Sequence, residues 1–307
     1  MSERWLLMEQ VKDIKVFDYF ETLKYIQKLK EEYPFLCLES IGKSVLGRDI
    51  FSLRIGRAKE YVLFAAAFHG SEYITNALML TFCHELCLAI ANDDNIEGLN
   101  VRRAMYGRGL IIVPLINPDG CEISIHGKSG CLGNFPFINR ISNGDLVHFN
   151  ANARGVDINH NFNAFWEPLR ELERKNQIYG PAKTRFGGYF PESEPETIAL
   201  CNLCRKTNIR HAVAFHSQGE VIYAPEGDNP PKRSEKMAEI MAASSGYIID
   251  KPEGLAVGGG FKDWFVKEFN RPAFTVEVGL GENPLPQSDY FTIYRRIREM
   301  LMLTAIM

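Results

Sequence analysis

The sequence predicts an α/β protein: a single domain over residues 1–307, with a mixed, largely parallel central sheet flanked by helices. Three observations carry that prediction. Apolar runs of strand length recur at 61–68, 109–115, 211–215 and 272–279. Segments of helical length separate them, first after His69 and later across 194–206. No Gly/Ser or Pro-rich linker, charge block, internal repeat or low-complexity tract interrupts the chain. Strands that are apolar along their whole length want cover on both faces, and helices flanking a parallel sheet provide it.

Taken in order, 17–30 carries apolar side chains at helical spacing, and 36–41 and 50–55 read as short strands around the turn Ser44-Val45-Leu46-Gly47-Arg48. The run 61–68 is a buried strand, and 74–80 continues as a mostly apolar helix. After the strand 109–115, Asn117-Pro118-Asp119-Gly120 is a turn signal expected to shape a cleft floor. Between 121 and 152 there is no clear periodicity and much Gly, Asn and Ser, so a long functional loop walling the cleft is expected. The segment 194–206 reads as a helix burying one face. Cys201-Asn202-Leu203-Cys204 lies inside it, with redox-motif spacing but no partner motif. Gly258-Gly259-Gly260 lacks the Lys-Ser/Thr and the spaced glycines of a phosphate loop. The last segment, 290–305, is amphipathic with basic residues and is expected to dock as a surface helix.

Charge and composition exclude some classes. Lys and Arg number 35 against 38 Asp and Glu, a formal charge of -3, without the basic excess of a general nucleic-acid binder. The first ten residues have too short an apolar core for a secretory signal, and no segment approaches a membrane span in length. Seven scattered cysteines fit a reducing compartment better than a disulfide framework. A cytoplasmic chain with no nucleic-acid or membrane partner is the expectation.

The chemistry concentrates at strand ends. His69 closes the run 61–68 and Glu72 follows three residues later, so an imidazole and a carboxylate can converge at the carboxyl edge of the sheet. Such a pair supplies two of the three protein ligands a catalytic zinc needs, the fourth position being left for water. His216 ends the run 211–215 in the same way and offers the third ligand. Glu277 lies inside a run that otherwise wants full burial. A carboxylate there needs either a partner, such as an Arg, or a task, such as general base.

His69-Gly70-Ser71-Glu72, Asn117-Pro118-Asp119-Gly120, Arg154-Gly155-Val156-Asp157-Ile158-Asn159, His216 and Glu277 occur in the order and approximate spacing of the zinc carboxypeptidases. The chain resembles that family from Leu38 to Pro286. The resemblance implies a carboxypeptidase-like fold, one Zn2+ held by His69, Glu72 and His216, and Glu277 as the base that takes the water proton and passes it to the leaving amine. Within the family, 216–223 and 277–286 resemble the branch that hydrolyses γ-D-glutamyl-meso-diaminopimelate bonds of bacterial cell-wall peptides. On that resemblance Gln218, Tyr223 and Asn159 are expected substrate contacts.

The chain departs from the family at its cations. The Arg that serves the oxyanion in better-known carboxypeptidases falls at Asn150, and the Arg that grips the substrate's terminal carboxylate falls at His160, which stays a candidate substrate contact. Losing a planar, bidentate guanidinium there weakens the case for ordinary carboxyl-terminal trimming. Arg154 is the nearest replacement, either as a catalytic and substrate-binding cation or as a structural Arg paired with Asp157 or a backbone carbonyl. Lys262 falls where the family selects the leaving side chain. A cation there favours a leaving residue bearing a carboxylate, unless it is a solvated surface lysine. The Tyr that closes over substrate falls near Leu255, leaving Tyr223 or a loop residue to substitute.

The resulting expectation is a zinc metallopeptidase acting in the cytosol on murein-derived peptides, in recycling or sporulation. A carboxypeptidase of ordinary peptides and an N-acyl amino acid deacylase on the same sheet are the alternatives within enzymes. A catalytically dead peptide-binding module is the third, against which stands a ligand set and base with no member missing.

Overall fold

The computed structural model describes residues 18–227 and 229–307, so the amino-terminal segment read above lies outside the described residues. The helix Tyr19–Glu32 comes first, capped by the Asp18 carboxylate, which accepts from the Glu21 amide. Two strands follow, β1 (Cys37–Lys43) and β2 (Asp49–Ile55), around the expected turn, where the Ser44 amide donates to the Arg48 carbonyl. Then come β3 (Tyr61–Ala66), β4 (Gly109–Val113), β5 (Ile209–His216), β6 (Val221–Tyr223), β7 (Ile248–Asp250) and β8 (Ala273–Glu277). The eight form one sheet in the order β1-β2-β4-β3-β5-β8-β6-β7. The central four, β4, β3, β5 and β8, run parallel. β1 and β2 pair antiparallel with each other and β2 with β4, while β6 is antiparallel to β8.

Side chains on the central strands alternate between two buried faces. Val62, Phe64 and Ala66 of β3 and Val213 and Phe215 of β5 join the core with the helices Ile74–Asn92, Ser234–Ser245 and Tyr290–Ile306. Their neighbours Leu63, Ala65, Ala212 and Ala214 join the core under Pro195–Lys206 and Phe261–Phe269. This double burial is why the strands read as unbroken apolar runs.

The structure corrects four expectations. The stretch Gly70–Asn92 is in fact long and apolar enough, by composition, to cross a membrane, but 78% of that window is buried in the protein. It is a core helix, its apolar surface covered by the sheet and by Tyr290–Ile306. The latter helix is likewise more than a docked surface element, since Ile293, Tyr294, Ile297, Met300 and Leu301 are all buried. The stretch 121–152 is not one long loop. It contains most of the helix Pro118–His126, a 3-10 turn at Gly127–Cys131 and the helix Phe135–Ile141, packed on a small core of Ile123, Cys131, Ile138 and Phe149. Helices of seven and nine residues show too few turns for periodicity to register.

The fourth correction concerns 117–120, which anchors rather than floors. Asn117 and Asp119 are fully buried. Asn117 caps the following helix through the Gly120 amide and donates to the carbonyls of Phe68 and Ala151. Asp119 accepts from Arg48 at 2.7 Å, from Ser44 Oγ and from the Leu46 amide. A buried carboxylate with three donors is satisfied, and removing one partner would strand the other charge. Cys201 and Cys204 are free thiols in a helix that buries one face, as expected, and burial pushes the pKa of both thiols up.

Candidate metal centre and active site

Three strands deliver the site to one rim of the sheet. β3 ends at Ala66, and Ala67 adopts a left-handed conformation with φ 53° that turns the chain out of the sheet. The turn is held by Thr75, whose hydroxyl accepts from the Ala67 amide at 2.9 Å. His69 then precedes a 3-10 turn, Gly70–Glu72, which swings Glu72 back beneath the imidazole. Gly70 is required by space: a Cβ there would lie 2.3 Å from the carbonyl oxygens of both Gly120 and Phe149. His216 is the last residue of β5, and Glu277 the last of β8, its register partner in the parallel ladder.

The donor atoms converge. His69 Nδ1 lies 2.8 Å from Glu72 Oε1, and His216 Nδ1 lies 3.0 Å from Glu72 Oε2. The two rings are 4.9 Å apart between centroids, and His216 stacks on Phe68. One ligand atom from each of His69, Glu72 and His216 falls within 4.8 Å of the others, a spacing that could hold a metal ion. The other side of His69 fits the same purpose. Its Nε2 lies 3.0 Å from Asp157 Oδ1, which accepts the Nε2 proton and makes Nδ1 the nitrogen that would be offered to a metal. Two neutral imidazole nitrogens and one carboxylate are a donor set that suits zinc with a position open. When bound, such an ion supplies a Lewis acid and a more acidic water.

Electrostatics mark the same cluster. Burial alone would push the Glu72 carboxyl up, but His69 and His216 hold it down at about 2. Asp157 is likewise buried, yet His69 and His160 keep it well below the usual carboxylate range. Burial would lower the His69 imidazole, but the carboxylates of Glu72 and Asp157 outweigh it and favour the cation. A cation is therefore what this pair of carboxylates selects for. Glu277 behaves oppositely: burial, then the Glu72 charge, push its carboxyl well above the ordinary value, while His69 pulls it down. A carboxyl with raised proton affinity is suited to accepting a proton at neutral pH.

An open cleft of about 530 Å³ lies over the cluster, lined by Glu72, His148, Gln218, Tyr223, Glu277 and Glu282 among others. Gln218 and Tyr223 thus stand with the metal-site residues. Asn283 clamps this wall, accepting from Ser217 Oγ at 2.7 Å and donating to the Ser217 carbonyl at 2.5 Å. His148 and Glu282 had no signal in the sequence: one lies in an aperiodic stretch and the other in a Gly/Pro-rich one.

The other named residues fall elsewhere. Arg154 is half-exposed, with Nη1 3.6 Å from the buried Glu194 carboxylate, and it pairs with that residue rather than Asp157. Asn150, at the position of the expected oxyanion Arg, accepts from Ser71 Oγ at 2.5 Å and so braces the 3-10 turn. His160 is buried: its Nδ1 lies 2.9 Å from Glu173 Oε1, and it also bonds the backbone of Arg185. Burial lowers its pKa. Asn159 Oδ1 accepts from the Phe261 amide at 3.0 Å, which docks the helix Phe261–Phe269 against the 157–160 segment. Lys262 is not a solvated surface lysine, since its side chain is 8% exposed and its ammonium sits 2.6 Å from Asp263.

Comparison with known proteins agrees with this geometry. A zinc carboxypeptidase family model matches residues 22–299. The γ-D-glutamyl-L-diamino acid endopeptidase 1 of Lysinibacillus sphaericus is 36% identical over 91% of this chain and 69% of its own length. The uncharacterized protein YqgT of Bacillus subtilis is 31% identical over 96% of this chain and 77% of its own. Among solved structures, thrombin-activatable fibrinolysis inhibitor superposes with a TM-score of 0.73 over 98% of this chain and 79% of its own, at 18% identity. The murein-tripeptide amidase MpaA of Escherichia coli O157 does so with a TM-score of 0.51 over 85% and 91%, at 21% identity. The last two likenesses concern the fold. With a family model spanning most of its length and a donor set built for the metal, the chain belongs to the zinc carboxypeptidase family and is a zinc metallopeptidase.

Proposed function

We propose that this peptidase hydrolyses the γ-D-glutamyl-meso-diaminopimelate bond of murein-derived peptides. The observation that carries the reading is the 36% identity, over 91% of the chain, to an endopeptidase named for γ-D-glutamyl-L-diamino acid bonds. The buried His160 supports it, because a site lacking an exposed guanidinium there is poorly equipped to grip the terminal carboxylate of an ordinary peptide.

In this reading His69, Glu72 and His216 hold one zinc ion. Glu277, at the end of β8 and partly open to the cleft, accepts the proton of the attacking water and returns it to the leaving amine. Glu72 keeps both imidazoles in register, and Asp157 holds His69 in one tautomer. Gln218 and Tyr223 contact the peptide from the clamped wall. Arg154, paired with Glu194, is left with a structural part. Seven unpaired cysteines support a cytosolic setting.

The test is incubation of the zinc-loaded protein with L-Ala-γ-D-Glu-meso-diaminopimelate beside an ordinary α-linked peptide of equal length. Release of free diaminopimelate with little trimming of the α-linked peptide is expected. The reverse pattern would return the protein to general carboxypeptidase chemistry.

A further inference from the structure

We infer that Arg185 is the cation that reads the substrate's acyl side, through the free α-carboxylate of the γ-linked glutamyl residue. The inference rests on the peptidase reading above. Cleavage at a γ-carbonyl has a chemical signature that α-peptides lack. The residue donating its carbonyl keeps a free α-carboxylate on its Cα, two methylenes away from the carbonyl that is attacked. A site specific for that linkage needs a positive group close to the metal centre, and the two positions where a guanidinium is expected hold Asn150 and His160.

Both of those replacements are engaged in holding the main chain. Asn150 braces the Gly70–Glu72 turn, and His160 is buried between Glu173 and the backbone of Arg185. Arg185 is held from its other end too, since its amide donates to Asp157 Oδ2 at 2.8 Å. The other oxygen of that same carboxylate meets His69 Nε2 at 3.0 Å. Arg185 is therefore one carboxylate away from a metal-holding imidazole, and both of its peptide bonding groups are tied to the 157–160 segment.

The backbone at Arg185 adopts φ 66°, a left-handed conformation that a bulky residue occupies only when its surroundings impose it. The surroundings do so here. On the next residue the buried Phe186 offers its carbonyl to the Asp157 amide at 2.7 Å, and the Gly187 amide donates to Glu173 Oε2. The side chain, by contrast, is exposed, and among the described residues its guanidinium makes no hydrogen bond or ion pair. The buried His160 feels its charge, so the guanidinium lies within electrostatic reach of the 157–160 segment that braces His69. A rigidly mounted backbone carrying an uncommitted planar cation is the arrangement expected of a carboxylate receptor.

The experiment compares kcat/KM on L-Ala-γ-D-Glu-meso-diaminopimelate with that on the same tripeptide carrying an α-carboxamide in place of the α-carboxylate. The amide keeps the shape and removes the charge. The wild type is expected to prefer the acid by roughly 10- to 100-fold. In Arg185→Gln that ratio should fall to within about threefold, with zinc content and the rate on the amide unchanged, and Arg185→Lys should keep part of the preference. A merely structural arginine would lower both rates together and leave the ratio intact, which overturns the inference. A wild type that cleaves both substrates equally overturns it as well, while leaving the peptidase reading standing. A wild type that cleaves neither overturns the peptidase reading, and this inference with it.

Discussion

The rim of the sheet and the wall beside it solve the placing of charge differently. At the rim, His216 and Glu277 are terminal residues of adjacent parallel strands and His69 follows a third, so the ladder itself fixes their separation. At the wall formed by the loop 184–188, distinct from the side clamped by Asn283, position is set by single side-chain bonds from Asp157 and Glu173 to backbone amides of the loop. The rim carries the residue types that the family resemblance leads one to expect. The wall keeps its scaffold while moving its cation. A ladder tolerates no relocation of a functional group without moving a strand, whereas a loop bonded at its backbone leaves its side chains open to exchange.

The largest effect should come from the rim. Glu277→Gln should lower kcat about 10²- to 10⁴-fold while zinc content stays at the wild-type level, since the residue is assigned to proton transfer and not to the metal. Turnover measured alongside metal analysis decides it; loss of zinc would move Glu277 into the ligand set. Next is the carboxylate that joins rim to wall. Asp157→Asn should weaken zinc binding roughly 10- to 100-fold, because the His69 tautomer and the loop amides lose their shared acceptor. Competition with a chelator measures it, and unchanged affinity would uncouple the two regions.

A buried group behind the wall gives a smaller, pH-dependent effect. Glu196 is fully buried, accepts from the Val45 amide and Asn152, and burial raises its carboxyl from 4.5 to about 7. The unfolded chain releases this proton near 4.5 and the folded one only near 7, so stability declines as pH rises between those values and levels off above. The contribution is at most about 3 kcal/mol. Thermal unfolding of Glu196→Gln across pH 5 to 8 should show a shallower slope than the wild type; equal slopes would mean the carboxyl is ionised throughout. The smallest effect belongs to Arg154→Ala. A half-exposed arginine paired at 3.6 Å should change kcat/KM by less than about threefold. A larger loss would restore it as a candidate for the site.

These differences track what was legible in the sequence. β3, β5 and β8 announce themselves because burial on both faces demands unbroken apolar runs, and the polar residues ending them stand out. His69, Glu72, His216 and Glu277 could be named on that ground. The strands β6 and β7 at one end of the sheet, three residues each, are too short to leave a pattern. Nor could a linear reading separate an Arg154 that pairs with Glu194 from an Arg185 that pairs with no side chain among the described residues. Both are one arginine in polar sequence, and their difference lies in tertiary bonds. Lys262 shows the same limit from the other side, since the neighbour that neutralises it is adjacent in sequence but its burial is not.

The apolar helix Ile74–Asn92 has a consequence for biosynthesis. Its cover, Tyr290–Ile306, is synthesised about 200 residues later. At typical elongation rates that interval lasts roughly 10 to 40 s. During it a stretch apolar enough for a bilayer is without its final cover. Early docking on the nascent strands or shelter by a chaperone is what keeps the growing polypeptide from clumping or straying into a membrane.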